Sequence, residues 1–207
     1  KLAGELGFNG LRVAAVVGDD MMSQRDNVRW DHPLTGQLVG AHAYLGSRAL
    51  GDALDQGADV VVTGRCADSA LFAAAALRGL DEGDAALAGA MTVGHLLECS
   101  GQLTGGNFAP VGGAMLSAES YANLGFPLAD VYADGSADIH LLDDAPGLLT
   151  PETCTLQLFY EVHDPARYIT PDIVLDFSGI VFEQIGRNRV RMSGARTTGG
   201  SASRTAM

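Results

Sequence analysis

Two short apolar runs constrain the fold of this chain more than any other feature. The first is RVAAVV at residues 12–17 and the second is DVVVT at residues 59–63, and each is followed by glycine and polar residues. Continuous apolar runs of this length are typical of buried parallel strands. Between them, residues 37–56 carry apolar side chains at helical spacing, and Gly57 is placed to end that helix. Strand, helix and strand in this order predict a βαβ unit with a right-handed crossover.

Polar residues follow both predicted strands. Asp19 and Asp20 come after the first strand, with Gly64 and Arg65 after the second and Asp68 close behind. Because ligands of open α/β sheets bind at the carboxyl ends of the strands, we expect these residues to bind a substrate or an anion.

Arg65 has two interpretations. It could pair with a carboxylate or phosphate, assisted by the N-terminus of a helix predicted over residues 70–78. The alternative is structural: an ion pair between Arg65 and Asp68, with Asp68 or Ser69 capping that helix.

A stripe of chemically active side chains is predicted on one later helix. His95, Glu98, Cys99 and Gln102 fall at i, i+3, i+4 and i+7, so they share one helix face. We expect the opposite face to be buried; it carries Val93, Leu96, Leu97 and Leu103. An imidazole, a carboxylate, a thiol and an amide together favour a functional site, and we take these four residues as candidate catalytic residues.

Three interpretations of the stripe remain open. His95 and Glu98 could form an acid/base pair, with Gln102 orienting the substrate. His95, Glu98 and Cys99 could bind a metal, although zinc sites draw their ligands from several elements and glutamine is a poor ligand. The third interpretation is a satisfied buried polar network that docks the helix. For Cys99 to act as a nucleophile its pKa must be lowered, which His95 favours and Glu98 opposes.

Two further segments are candidate binding elements. Thr104-Gly105-Gly106-Asn107 could hold an anion with backbone N–H groups, but it lacks the lysine of a phosphate-binding loop, and a plain loop explains it equally well. His163 lies just before Asp164-Pro165 and could complete the pocket, although turn chemistry accounts for that segment unaided.

The second half of the chain changes character near residue 130. Short strand-like segments at 131–134, 137–141, 173–176, 180–184 and 190–192 flank a helix that begins at Thr150-Pro151. The sequence therefore predicts an α/β fold class: a mostly parallel sheet with flanking helices over residues 1–130, then a smaller α+β portion with antiparallel strands over residues 131–196. Residues 197–207 are rich in Gly, Ser and Thr and are predicted to be a disordered tail.

Composition excludes several classes of protein. The net charge of −12 argues against a nucleic-acid partner, because phosphate binding requires clustered Lys and Arg. The three cysteines show no CxxC spacing, which indicates reduced thiols and a cytoplasmic protein. No apolar run is long enough to span a bilayer, so no membrane partner is expected. An acidic, glycine-rich α/β chain also favours a homo-oligomer. The sequence leaves the identity of any cofactor unknown.

A series of motifs resembles the acyclic terpene utilisation family. The motifs are VVGDD at 16–20, AYLG at 43–46, GADVVVTGR at 57–65, the segment containing His95, NLGFP at 123–127, YEVHDP at 160–165, TPD at 170–172, DFS at 176–178 and SGAR at 193–196. Each motif alone is weak, but their order and spacing are specific over residues 10–196. The resemblance further implies that family members extend beyond this sequence at both ends.

The resemblance implies a role in the breakdown of isoprenoids such as citronellol and geraniol through acyl-CoA intermediates. The first hypothesis is therefore an enzyme that acts on a small molecule, such as a CoA thioester, by acid/base chemistry. The second is a non-catalytic binding or assembly subunit of an acyl-CoA carboxylase-type pathway. The third is a metal-dependent hydrolase or lyase.

Overall fold

The computed structural model describes residues 2–28, 30, 33, 35–80, 83–113 and 115–198. Of the predicted tail, only Thr197 and Thr198 lie within these ranges. The helices are α1 (Leu2–Glu5), α2 (Ser47–Asp55), α3 (Asp68–Ala76), α4 (Asp84–Glu98), α5 (Ala118–Ala122) and α6 (Pro151–Leu158). The strands are β1 (Val13–Val16), β2 (Val60–Thr63), β3 (Leu128–Val131), β4 (Ala137–His140), β5 (Tyr168–Ile169), β6 (Val174–Asp176), β7 (Val181–Gly186), β8 (Arg189–Ser193) and β9 (Arg196–Thr197).

The predicted βαβ unit is confirmed, since β1 and β2 pair in parallel through α2, with Val13 opposite Val60. The prediction of a mostly parallel sheet is not confirmed. Among the described residues, parallel pairing is confined to β1–β2 and to an isolated bridge between Leu45 and Cys66. The other two sheets are antiparallel, with strand orders β3-β4-β8-β7 and β5-β6-β9.

Helix α2 is shorter than the predicted helix over residues 37–56. The backbone before it is extended, because His42 bridges Asp20 and the N–H of Leu45 donates to the carbonyl of Arg65. These hydrogen bonds to the strand ends replace the hydrogen bonds that a helix would make. The helix then begins at Ser47, whose backbone N–H and hydroxyl both donate to the carboxylate of Asp172.

Helix ends elsewhere also differ from the prediction. Helix α3 begins at Asp68, so Ala67 occupies the N-cap position predicted for Asp68 or Ser69. Helix α6 has the expected proline at its start and a capping box between Thr150 and Thr153, and it ends at Leu158.

Helix α4 forms the centre of the molecule. It packs against α3, α6, β3 and β9, and the buried cluster around it draws residues from both halves of the chain. Two glycines allow this enclosure: a Cβ on Gly89 would collide with the backbone of Gly135, and a Cβ on Gly94 would collide with the carbonyl of Ser69. The apolar face predicted opposite the stripe is buried as expected: Val93, Leu96 and Leu97 lie in α4, and Leu103 lies beyond its end.

We expect Gly94→Ala to destabilise the fold. The added methyl group would push α3 away from α4, and overpacking of this kind costs about 1–3 kcal/mol in the free energy of unfolding. Urea denaturation measures the change. The matched control is Gly4→Ala in the exposed helix α1, where a Cβ meets nothing within 4 Å. An equal effect of both substitutions would contradict the packing argument.

Candidate functional site

The carboxyl edge of the parallel pair holds a fixed carboxylate. Oδ2 of Asp19 accepts a hydrogen bond from the backbone N–H of Arg65 at 3.0 Å and contacts Nδ1 of His42 at 2.8 Å. Gly64 permits this arrangement, because a Cβ there would collide with the Asp19 carboxylate. The backbone N–H of Arg65, and then His42, lower the pKa of Asp19. The carboxylate therefore stays ionised at neutral pH.

The Arg65 side chain makes a contact that differs from both sequence interpretations. Its guanidinium lies 5.4 Å from the centre of the Tyr44 ring, and Nη2 donates to the Tyr44 hydroxyl at 3.3 Å. No ion pair joins Arg65 to Asp68 in the part of the chain that the structure describes. Asp20, next along, accepts the backbone N–H of Met22 at 2.8 Å.

His95 lies inside the protein and not on an open face. Its side chain is buried, with Nε2 at 3.1 Å from the carbonyl oxygen of Leu158 and Nδ1 at 3.4 Å from the hydroxyl of Tyr168. A carbonyl can only accept, so Nε2 carries the proton and Nδ1 accepts from Tyr168. The ring also stacks on Phe177 at 5.7 Å. Burial lowers the pKa of His95, which keeps the imidazole neutral.

Glu98 and Cys99 form a half-buried pair at the end of α4. The Cys99 thiol donates to Oε1 of Glu98 at 2.6 Å. Burial raises the pKa of Glu98, and the negative charges of Asp68 and Glu161 raise it further. Burial and the hydrogen bond to Glu98 raise the pKa of Cys99 to about 11. The thiol is therefore protonated at neutral pH, which removes the support for Cys99 as a nucleophile.

Three carboxylates surround the His95–Tyr168 contact from different elements. Asp68 begins α3, Glu98 ends α4 and Glu161 follows α6. Burial first, and then the charges of these three groups, raise the pKa of Tyr168 to about 12. The phenol is therefore neutral and can donate its proton in a hydrogen bond to His95.

Two buried polar atoms beside these residues lack a hydrogen-bond partner among the residues that the structure describes. They are Oγ of Ser69 and Oε1 of Gln157. The amide of Gln157 lies next to α4, because its Nε2 donates to the carbonyl of His95 at 3.4 Å. Unpartnered buried polar atoms are costly, and functional sites are one of the places where they occur.

The segment after α4 does not continue the predicted stripe. The helix ends at Glu98, and Gln102 lies in a wide turn, Gln102–Gly106, that contains Gly105 at φ +103°. The backbone N–H of Gly106 donates to the carbonyl of Gly101 at 2.7 Å, and that of Asn107 donates to Gly105. Thr104 is fully buried. These N–H groups are used within the turn, so they are not available to an anion in this conformation.

A groove opens beside Glu161, one of the three carboxylates. Its volume is about 880 Å³, and its walls include Phe108, Leu156, Phe159, Tyr160 and Glu161. Glu161 links the groove to the cluster, since its charge acts on Glu98 and Cys99. His163, two residues further on, is exposed.

The structure thus brings the predicted residues together in two groups. One contains Asp19, Gly64 and Arg65, and the other contains His95, Glu98, Cys99 and Asp68. In the described ranges, no group of three or more His, Cys, Asp or Glu side chains is arranged to hold a metal ion, so the metal interpretation gains no support. Across the same ranges, no helix has both the length and the hydropathy needed to cross a membrane.

Sequence reasoning missed three residues of these groups as site residues: His42, Tyr168 and Gln157. Tyr168 is one of the residues that carry the family resemblance, together with YEVHDP, and His42 directly precedes another of the motifs. That proximity was the available signal. The contacts themselves join residues 23 and 73 positions apart, which no local pattern encodes.

Comparison with known proteins decides the family. The sequence model described as "Acyclic terpene utilisation family protein AtuA" matches residues 1–205. This chain belongs to the acyclic terpene utilisation family. The match extends past Arg196, where the motif resemblance was expected to stop. No curated protein and no solved structure matches the chain significantly.

Substitution of Glu98 tests its effect on the Cys99 thiol directly. We expect Glu98→Gln to lower the pKa of Cys99, because it removes the neighbouring negative charge. Site-resolved mass spectrometry of iodoacetamide alkylation against pH measures that pKa. Glu152→Gln is the matched control, since Glu152 acts on Cys154 and not on Cys99. An unchanged Cys99 profile in Glu98→Gln would show that burial alone sets it.

Proposed function

We propose that this member of the acyclic terpene utilisation family is an enzyme in which Glu98 transfers a proton to or from a terpenoid substrate. The observation that carries the proposal is the position of Glu98, which is half-buried at the end of α4 and is acted on by the charge of Glu161, a residue of the groove wall. Burial and then the charges of Asp68 and Glu161 raise the pKa of Glu98. A carboxyl group with a raised pKa keeps its proton closer to neutral pH, and this suits it to act as a general acid.

Part of the groove suits a hydrocarbon substrate. Aromatic and aliphatic side chains form one part of its walls, where Leu156 and Phe159 are each 46% exposed, and Asn107, Glu152, Thr155 and Glu161 form the rest. Transfer of apolar surface from water to the apolar part is favourable by about 25 cal/mol per Å². A branched isoprenoid chain would thereby be held with its polar end towards Glu161, the residue of the wall whose charge acts on Glu98.

Glu98 is favoured over His95 as the residue that meets the substrate. His95 is 5% exposed, and both of its ring nitrogens are engaged by Leu158 and Tyr168. We therefore assign His95 and Tyr168 a positioning role: they fix the end of α4 and with it Glu98.

We also propose that the substrate is an acyl-CoA thioester, as the pathway implied by the resemblance suggests. The phosphates of CoA would lie outside the groove, because Asp68, Glu98 and Glu161 would repel them. The N–H groups of Gly105 and Gly106 have no part in this proposal, since the turn that contains them is closed on itself.

A second candidate function, assembly without catalysis, is favoured by a different surface. Val13 and Ala15 of β1 share an exposed face with Val60 and Val62 of β2. Parallel sheets are normally covered on both faces, so an apolar face of this kind suits a contact with another chain.

We expect Glu98→Gln to abolish growth on geraniol or citronellol when the variant replaces the native protein in the organism. Loss of a general acid or base lowers turnover by about 10²–10⁴-fold, while the fold should be retained because glutamine keeps the shape and can still accept from Cys99. Growth rate and circular dichroism measure the two effects. Exposed Glu119→Gln is the control and should grow normally.

A matching variant separates the two functions. Val62→Lys alters the exposed face and leaves Glu98 intact. If Glu98→Gln grows normally and Val62→Lys does not, the catalytic proposal is wrong and assembly is favoured.

A further inference from the structure

We propose that the carboxyl edge of β1 and β2 is a second site, separate from the Glu98 groove. It would bind a small oxyanion ligand, a carboxylate or a phosphate, that also presents an O–H group. Arg65 would hold the negative charge, and His42 would accept the proton. Asp19, which the sequence suggests as a ligand-binding residue, instead orients His42.

The His42–Asp19 pair has the geometry of an oriented base. Nδ1 of His42 lies 2.8 Å from Oδ2 of Asp19, and an ionised carboxylate can only accept, so Nδ1 carries the proton. In the neutral imidazole the lone pair then lies on Nε2. Nε2 has no hydrogen-bond partner in the described ranges, and the His42 side chain is 45% exposed. A carboxylate that fixes the histidine tautomer in this way is the arrangement used in acyl-transfer and hydrolytic sites.

The orienting carboxylate is itself held in place. The Asp19 side chain is 13% exposed and accepts the backbone N–H of Arg65, so it cannot turn towards solvent without losing that bond. Oδ1 of the neighbouring carboxylate, Asp20, accepts from the N–H of Met22, and the His42 ring contacts the carboxylate of Asp19. The edge is thus built to hold one imidazole orientation.

Arg65 has hydrogen-bond donors left for a ligand. A guanidinium carries five N–H groups, and the Tyr44 hydroxyl takes one of them. The guanidinium carbon of Arg65 also lies over the Tyr44 ring, 5.4 Å from the ring centre. His42 and Arg65 are joined through shared partners. Oδ2 of Asp19 contacts Nδ1 of His42 and accepts from the backbone N–H of Arg65, while the guanidinium of Arg65 donates to Tyr44, two residues after His42. The imidazole and the guanidinium are therefore both anchored at this edge.

The proton balance of the site is simple. The ligand O–H would donate a hydrogen bond to Nε2 of His42. When the proton moves to Nε2, the bonding electron pair stays on the ligand oxygen and the Asp19 carboxylate stabilises the imidazolium. The proton returns to the same oxygen before the ligand leaves, so no other bond changes and no other reactant is required.

Nitrogen-15 NMR of the full chain, with labelled histidine and arginine, tests the proposal in two steps. At a pH where His42 is neutral, its signals should show Nδ1 protonated and Nε2 bare. Asp19→Ala should move them towards the mixture found in free histidine. The opposite tautomer in the unaltered protein would overturn the proposal without any variant.

The second step is a titration with inorganic phosphate and, separately, with acetate. Both anions should shift the Arg65 side-chain signal, and phosphate, which carries an O–H, should also shift Nε2 of His42. Arg65→Gln should weaken binding about 10–100-fold, as expected for loss of a charged hydrogen bond. Arg187→Gln, in the exposed turn between β7 and β8, is the matched control and should bind normally.

The outcomes separate this site from the proposed function. Glu98→Gln should leave phosphate binding unchanged, because Glu98 lies in the other group. Absence of any Arg65 or His42 shift at tens of millimolar of both anions would overturn the proposal. An equal loss of binding in Arg65→Gln and Arg187→Gln would overturn it too, since binding would then reflect only the overall charge.

Discussion

Close backbone contact at Gly94 is the constraint on which the rest of the structure depends. Helix α4 has almost no exposed side, and the contact with Ser69 brings the start of α3 against its last turns. That approach places Asp68 near His95 and Glu98. The raised pKa values of Glu98 and Tyr168 follow from this approach, because burial and the charges of neighbouring carboxylates act on both groups. Packing at one glycine therefore sets the electrostatics of the candidate site.

Much of the fold follows from local patterns, and the exceptions have physical causes. The apolar runs of β1 and β2 and the proline start of α6 were predictable because strand patterning and capping are local. The start of α2 was not, since its capping carboxylate, Asp172, is 125 residues away. The extent of parallel pairing was overestimated because an apolar run predicts a strand but does not identify the strand with which it pairs.

The candidate sites show the same division between local pattern and distant contact. The spacing of His95 and Glu98 predicted that they share a helix, and both lie in α4. It also placed Gln102 on the same face, which fails because the chain unwinds into a wide turn after Glu98. His42 could not be assigned a role in advance, since its proposed role depends on a contact with Asp19, which lies 23 residues earlier in the chain.

The five residues from Tyr168 to Asp172 contact two distant parts of the structure. The hydroxyl of Tyr168, in β5, contacts the imidazole of His95, and the carboxylate of Asp172, in the loop after β5, accepts hydrogen bonds from Ser47 at the start of α2. Ser47 follows the extended segment that carries His42 and Tyr44. One short stretch of chain therefore joins the surroundings of the buried imidazole to the helix of the βαβ unit.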